Sequence, residues 1–142
     1  MISKKKILVV EDDADVRLGY QILLKAHDYA TVFAVDSMCA ISETRKQQPD
    51  LIILDLGLPA GDGFIVMGRL KSNTQFCQIP IVVVSGRDAH SNRDRALAAG
   101  ADAFLQKPWN DDELLCTVAE LLGESNQPPS LKQSPMVQAV TE

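Results

Sequence analysis

Leu51-Ile52-Ile53-Leu54-Asp55, followed by Leu56-Gly57-Leu58-Pro59, decides the fold. Four consecutive large apolar residues read as a strand buried on both faces, as expected inside a parallel sheet. The run delivers a carboxylate at its C-terminal end, and Gly57 and Pro59 break the strand just after it. In open α/β sheets, ligands sit outside the carboxyl ends of the strands. Asp55 therefore stands where chemistry is done. A turn or helix-cap Asp is the plain alternative on this stretch alone, and the rest of the chain decides between them.

The chain has 142 residues, 46% of them hydrophobic, which suits one domain with its own core. Its net charge of −5 argues against a nucleic-acid surface. Lys4, Lys5 and Lys6 form the only basic run, and a solvated lead-in to a strand explains them. Cys39, Cys77 and Cys116 are widely spaced, with no CxxC pair, which argues for free thiols in a reducing compartment. His27 and His90 are isolated and form no metal-ligand pair. No apolar run reaches the roughly 18 residues that span a bilayer, and no signal-peptide pattern opens the chain. The expectation is a soluble cytoplasmic domain with no membrane contact.

Further strands repeat the opening pattern. Ile7-Leu8-Val9-Val10 is all apolar and ends in Glu11-Asp12-Asp13. Asp13 or Asp15 can cap the next helix, whose Val16, Tyr20, Leu23 and Leu24 recur at helical spacing. Ala30 to Val35 reads as a short strand, and Asp36-Ser37 as the cap of a helix that Pro49 stops near Gln48. After a Pro/Gly loop, Phe64, Met67 and Leu70 space a third helix. Gly68 inside it costs roughly 1 kcal/mol against Ala, explained either by close packing or by tolerance. Ile81-Val82-Val83-Val84 is a further apolar strand ending in Ser85-Gly86. A helix follows over about Ser91 to Ala99, and Gly100 stops it. Ala103 to Gln106 is a fifth strand, ending in Lys107-Pro108. Asn110 or Asp111 caps a last helix with Leu114, Leu115, Val118, Leu121 and Leu122 inward.

Five strands alternating with five helices predict a three-layer α/β sandwich around a parallel sheet. Residues 1–123 form that domain. The composition of 124–142 shifts to Ser, Gln and Pro, so this segment is expected to be a tail or the start of a linker.

Four of the five strands end in a charged or reactive group: Asp12 and Asp13, Asp55, Ser85 and Lys107. Four such endings on one sheet edge make a site. Three carboxylates brought together repel one another and raise one another's pKa values. A hard divalent cation such as Mg²⁺, which takes carboxylate, carbonyl and water oxygens, removes the conflict. Carboxylate, Mg²⁺ and ammonium together suit a phosphoryl group, and a carboxylate can attack phosphorus to give an aspartyl phosphate.

The motifs ILVVEDD, LIILDLGLP with DG following, VVVSG and GADAFLQKP stand in order over about residues 5 to 123. In this the chain closely resembles the receiver domain of bacterial two-component response regulators. The resemblance implies a flavodoxin-like (βα)5 fold with strand order 2-1-3-4-5. It implies Asp55 as phosphoacceptor and Mg²⁺, or Mn²⁺ in its place, held by Asp12, Asp13, Asp55 and the main-chain carbonyl of Gly57. Ser85 is then the switch hydroxyl, Phe104 the aromatic switch and Lys107 the phosphate-binding lysine, with a cis Lys107-Pro108 bond. Gly57 and Arg87 are the implied lifetime-tuning positions. The implied donor is a sensor histidine kinase or a histidine phosphotransfer protein, and the output an unknown protein target, with no direct nucleic-acid binding by this chain. Self-phosphotransfer and autodephosphorylation are the only implied catalysis. Ser85 stands where Thr is more usual, Trp109 where Phe is common and Leu58 where Met is frequent, and none of these removes a catalytic group.

Two other classes compete. A phosphorylation-independent scaffold of the same fold has no use for mutually repelling carboxylates. A phosphatase of the haloacid dehalogenase type carries a second Asp two positions after its nucleophile, where this chain has Gly57.

No output module such as a DNA-binding helix-turn-helix follows residue 123, so the expectation is either a stand-alone receiver or a fragment of a longer regulator.

Overall fold

The computed structural model describes residues 4–58, 63–86 and 89–124. Strands and helices alternate in the order β1 (Lys6–Val10), α1 (Ala14–Ala26), β2 (Ala30–Ala34), α2 (Ser37–Gln47), β3 (Leu51–Asp55), α3 (Gly63–Lys71), β4 (Ile81–Ser85), α4 (Ala89–Ala98), β5 (Ala103–Gln106) and α5 (Asp111–Leu121). All strand pairs are parallel, and the sheet order is β2-β1-β3-β4-β5. The flavodoxin-like (βα)5 expectation holds.

The all-apolar strands are explained by the two cores. Side chains alternate across a strand, so Leu8, Ile52, Leu54 and Val83 meet Val66, Met67 and Leu70 of α3 on one face. Val9, Leu51, Ile53 and Val84 meet Tyr20 and Leu24 of α1 and Leu114 and Val118 of α5 on the other. Because both faces are covered, Ile7 to Val10 and Leu51 to Leu54 are each no more than 1% exposed. Tyr20 is core, as its spacing predicts, and stacks on Trp109 with ring centroids 4.2 Å apart.

The helix starts resolve the open alternatives. Asp13, not Asp15, caps α1, accepting from the N–H groups of Asp15 at 2.8 Å and Val16 at 3.1 Å. Asn110, not Asp111, caps α5 through the N–H of Glu113 at 3.0 Å. Gln48 ends α2 in the left-handed region at φ 50°, just before Pro49, and Gly100 follows α4 at φ 115°. Helix α4 begins two residues earlier than the sequence pattern suggests. Of its side chains that are described, only Ala96 is buried, so the apolar signal that marks a helix start is thin. Glu124 is still docked: its N–H donates to the Ala119 carbonyl, and its carboxylate accepts the Tyr29 hydroxyl at 2.7 Å. The expected tail otherwise lies outside the described residues.

Two glycines of α3 behave oppositely. A Cβ on Gly63 would lie 2.7 Å from the Asp55 carbonyl oxygen and 2.9 Å from the Leu56 Cα, both backbone atoms that cannot yield. Gly63 thus lets α3 start hard against the end of β3. A Cβ on Gly68 would meet nothing within 4 Å, so its presence is tolerance and not packing. Gly68→Ala is expected to stabilise the fold by roughly 0.5–1 kcal/mol through helix propensity. Gly63→Ala should lose roughly 1–3 kcal/mol, because overpacking outweighs the same propensity gain. Urea unfolding of the two variants checks the opposite signs.

Candidate functional site

Sheet register assembles the site. Val10 lies opposite Leu54, so the next step along β1, Glu11, comes level with Asp55. Asp55 in turn lies opposite Val84, and Ser85 opposite Gln106, so Lys107 comes one step beyond. The ends of β1, β3, β4 and β5 are one row.

Lys107 ties that row together. Its Nζ donates to Glu11 Oε1 at 2.8 Å and lies 3.5 Å from Asp55 Oδ2. Glu11 is 2% exposed and Asp55 8%. Asp55 Oδ1 accepts the Gly57 N–H at 3.1 Å, and Glu11 Oε2 accepts the Asp13 N–H at 3.2 Å. Arg17 Nη1 donates to the Glu11 carbonyl at 2.9 Å and so fixes the strand end. Burial pushes the Glu11 carboxyl above its usual range; the Lys107 hydrogen bond opposes this and the Asp55 charge adds to it. Burial alone would lower Lys107. Its hydrogen bond to Glu11 and the Asp55 charge outweigh that and hold the ammonium above its usual value. Lys107 is therefore a fixed positive charge.

Carboxylate oxygens of Glu11, Asp12 and Asp55 all lie within 4.8 Å of one another. Three oxygen donors and one ammonium leave the cluster net negative, and an all-oxygen, carboxylate-rich set fits a hard divalent cation. The set differs by one residue from the expected Asp12, Asp13 and Asp55. Asp13 spends its Oδ1 on two helix N–H groups, and Glu11 takes its place in the cluster. Glu11 was visible in the run Glu11-Asp12-Asp13. The signal that selects it is register, because only the first residue after Val10 comes level with Asp55.

The other expected residues are accounted for individually. Ser85 is 4% exposed and lines the same cleft as Asp55, Gly57 and Lys107. Gly57 is exposed, and a side chain there would start 3.8 Å from Asp55 Oδ1, directly over the carboxylate. Phe104 is 9% exposed and packs in the cluster that holds Val83 and Ala96. The Lys107-Pro108 bond is cis, as the resemblance implies. Arg87 lies outside the described residues. No helix among the described residues is long and apolar enough to cross a membrane.

A doubly covered parallel sheet with acidic groups and one lysine at its carboxyl edge defines a signalling module of the receiver kind. The response regulator receiver domain family matches residues 7–119, and the chain belongs to that family. The phosphate regulon transcriptional regulatory protein PhoB of Escherichia coli is 33% identical over 118 residues, covering 83% of this chain and 52% of PhoB. The response regulator MprA of Mycobacterium leprae is 36% identical over 117 residues, 82% of this chain and 50% of MprA. The chain thus spans about half the length of the curated relatives it matches. A receiver domain protein of Methanospirillum hungatei superposes with a TM-score of 0.79 at 26% identity, covering 85% of this chain and 95% of its own.

The one-residue shift in the acidic set is directly testable by Mg²⁺-dependent melting. Ligands that bind only the folded chain raise its melting temperature by mass action. Glu11→Gln and Asp12→Ala should each lose most of the shift produced by millimolar Mg²⁺. Asp13→Ala should instead lower stability by about 1 kcal/mol, as an N-cap loss does, and keep the Mg²⁺ shift.

Proposed function

We propose that this chain is a phosphorylation-controlled switch. Asp55 accepts a phosphoryl group from the phosphohistidine of a sensor histidine kinase or a histidine phosphotransfer protein, with Mg²⁺ (or Mn²⁺) held by Glu11, Asp12, Asp55 and the Gly57 carbonyl. The observation that carries this reading is Lys107 Nζ poised between Glu11 and Asp55 beside a three-carboxylate cluster. That arrangement supports phosphoryl transfer better than a passive scaffold, which gains nothing from crowding like charges.

In the transfer an Asp55 oxygen forms the new bond to phosphorus. The donor's N–P bond breaks, and its electron pair stays on the imidazole nitrogen. A bound divalent ion supplies charge neutralisation for the carboxylates and the transferring group. Lys107 keeps its hydrogen bond to Glu11 while its remaining N–H groups turn to a phosphoryl oxygen. Ser85, at the end of β4, donates its hydroxyl to another phosphoryl oxygen, and Phe104 on the neighbouring strand follows the space that this opens. The change is read by a protein partner. A net charge of −5 speaks against direct nucleic-acid contact by this chain, and a cytoplasmic setting fits the free thiols of Cys39, Cys77 and Cys116.

Incubation with acetyl phosphate and Mg²⁺ should add one phosphoryl group by intact mass, and Asp55→Asn should abolish it. Persistent labelling of Asp55→Asn would sink the assignment.

Signal lifetime is expected to depend on what covers the carboxylate. Gly57 leaves the approach to Asp55 open, so Gly57→Arg should lengthen the acyl-phosphate half-life several-fold by obstructing water. Arg87 is proposed as the natural counterpart of that obstruction, and Arg87→Ala should shorten it. Decay at fixed Mg²⁺, without kinase or phosphatase, gives both values; equal rates in all three proteins would place lifetime control elsewhere.

A further inference from the structure

The cleft above Asp55 has a second cation at its mouth. It encloses about 880 Å³ and is lined by Asp55, Phe64, Ser85, Asn92, Arg95 and Lys107, among others. Arg95 stands three residues after Asn92 on α4, and that spacing puts both on the cleft side of the helix. Its guanidinium carbon lies 3.8 Å from the centroid of the Phe64 ring on α3, well inside the roughly 6 Å range of cation–π attraction. Among the described residues, Arg95 pairs with no carboxylate. The arginine is exposed. The half-buried ring of Phe64 holds a guanidinium less firmly than a bidentate anion does, so this contact is one that an arriving phosphoryl group can displace.

Charge supplies the reason for displacement. Phosphorylation replaces the single charge of Asp55 by a group carrying about −1.5 to −2. Glu11 and Asp12 remain beside it, and Lys107 with one bound divalent ion leaves the cleft about one positive charge short. Among the described residues lining the same cleft, Arg95 is the cation not already committed to a carboxylate.

We propose that Arg95 shields the phosphoryl group. In the unphosphorylated chain it rests on Phe64. When Asp55 is phosphorylated it leaves the ring, pairs with a phosphoryl oxygen and keeps water from the phosphorus, prolonging the signalling state. This rests on the reading of Asp55 as phosphoacceptor. The reaction it slows is hydrolysis. A water oxygen bonds to phosphorus, the bond from phosphorus to the Asp55 oxygen breaks with its pair returning to the carboxylate, and the water proton leaves with the phosphate or to solvent. Attack comes opposite the breaking bond, hence from the open cleft that Arg95 lines. Phe64 sets how readily the arginine is released, so the aromatic side chain at this position tunes the lifetime.

The test uses the full chain labelled with acetyl phosphate and Mg²⁺, freed of donor, with acyl-phosphate decay followed by intact mass. Arg95→Gln should decay several-fold faster than the wild type, and Arg95→Lys should fall between them. Phe64→Leu, which removes the resting place but leaves the arginine, should decay more slowly, and that effect should vanish in the double variant with Arg95→Gln. A binding arm avoids turnover: beryllofluoride with Mg²⁺, read by fluorescence of Trp109, the single Trp of the chain, should bind several-fold more weakly to Arg95→Gln. A half-life for Arg95→Gln equal to or longer than the wild type overturns the proposal. If that equality comes with a lowered melting temperature, Arg95 is a packing residue only. Failure of the wild type to take a phosphoryl group at Asp55 overturns the functional reading itself, and this inference with it.

Discussion

One ammonium holds this site in order. Glu11, Asp12 and Asp55 offer carboxylate oxygens within 4.8 Å of one another, and like charges that close repel one another. Lys107 reaches two of the three, at 2.8 Å and 3.5 Å. Where it is strongest, at Glu11, burial still pushes the carboxyl up against the effect of the lysine. The site is therefore under-neutralised by construction. A fully compensated pocket would have no affinity left for a divalent cation or for an anionic substrate bridged through one. A pocket without Lys107 would leave buried carboxylates unpaired, which is strongly destabilising.

Parallel pairing is what makes so acidic a row possible. In a parallel ladder, strands start and stop at the same ends, so the residues that follow β1, β3, β4 and β5 share one edge. Helices cover both faces of the sheet, and the carboxyl edge is where polar groups can reach solvent. Gly63 belongs to the same constraint. It admits the start of α3 against the backbone of Asp55 and Leu56, with no room for a methyl group, and this closes one wall of the cleft.

The layers were legible in the residues themselves, as was the gathering of Asp55, Ser85 and Lys107 at one sheet edge, whereas the strand order was carried by the resemblance to receiver domains. Continuous apolar runs such as Leu51 to Leu54 need helices on both sides, and the four motifs of the receiver family stand in sequence order. What misled was the acidic triplet after β1. Composition treats Glu11, Asp12 and Asp13 alike, whereas three-dimensional register does not. Glu11 continues the sheet edge, its N–H donating to the Ala34 carbonyl, while Asp13 has already turned to cap α1. The start of α4 was blurred for a related reason: a helix that buries little announces itself weakly. The Arg95–Phe64 contact was illegible because 31 positions and a strand separate the partners, and no local pattern links a cation to a distant ring.

That weak anchoring of α4 bears on where a signal emerges. Helix α5 buries Leu114, Leu115, Val118 and Ala119, and α1 buries Tyr20 and Leu24, with the Tyr20–Trp109 stack joining them beside Lys107. Displacing either helix exposes large apolar surface at roughly 25 cal/mol per Å². Of the α4 side chains described, only Ala96 is buried, and Leu97 is 39% exposed. The same perturbation at the carboxyl edge therefore meets a stiff wall on one face of the sheet and a loosely held helix on the other. Ser85 at the end of buried β4 and Arg95 on α4 both line the cleft, so of the groups that contact a phosphoryl oxygen in the proposed reaction only Arg95 is carried by the lightly anchored helix. Elements of low local stability are the ones that carry conformational change, and of the five helices α4 has the fewest buried side chains among the described residues.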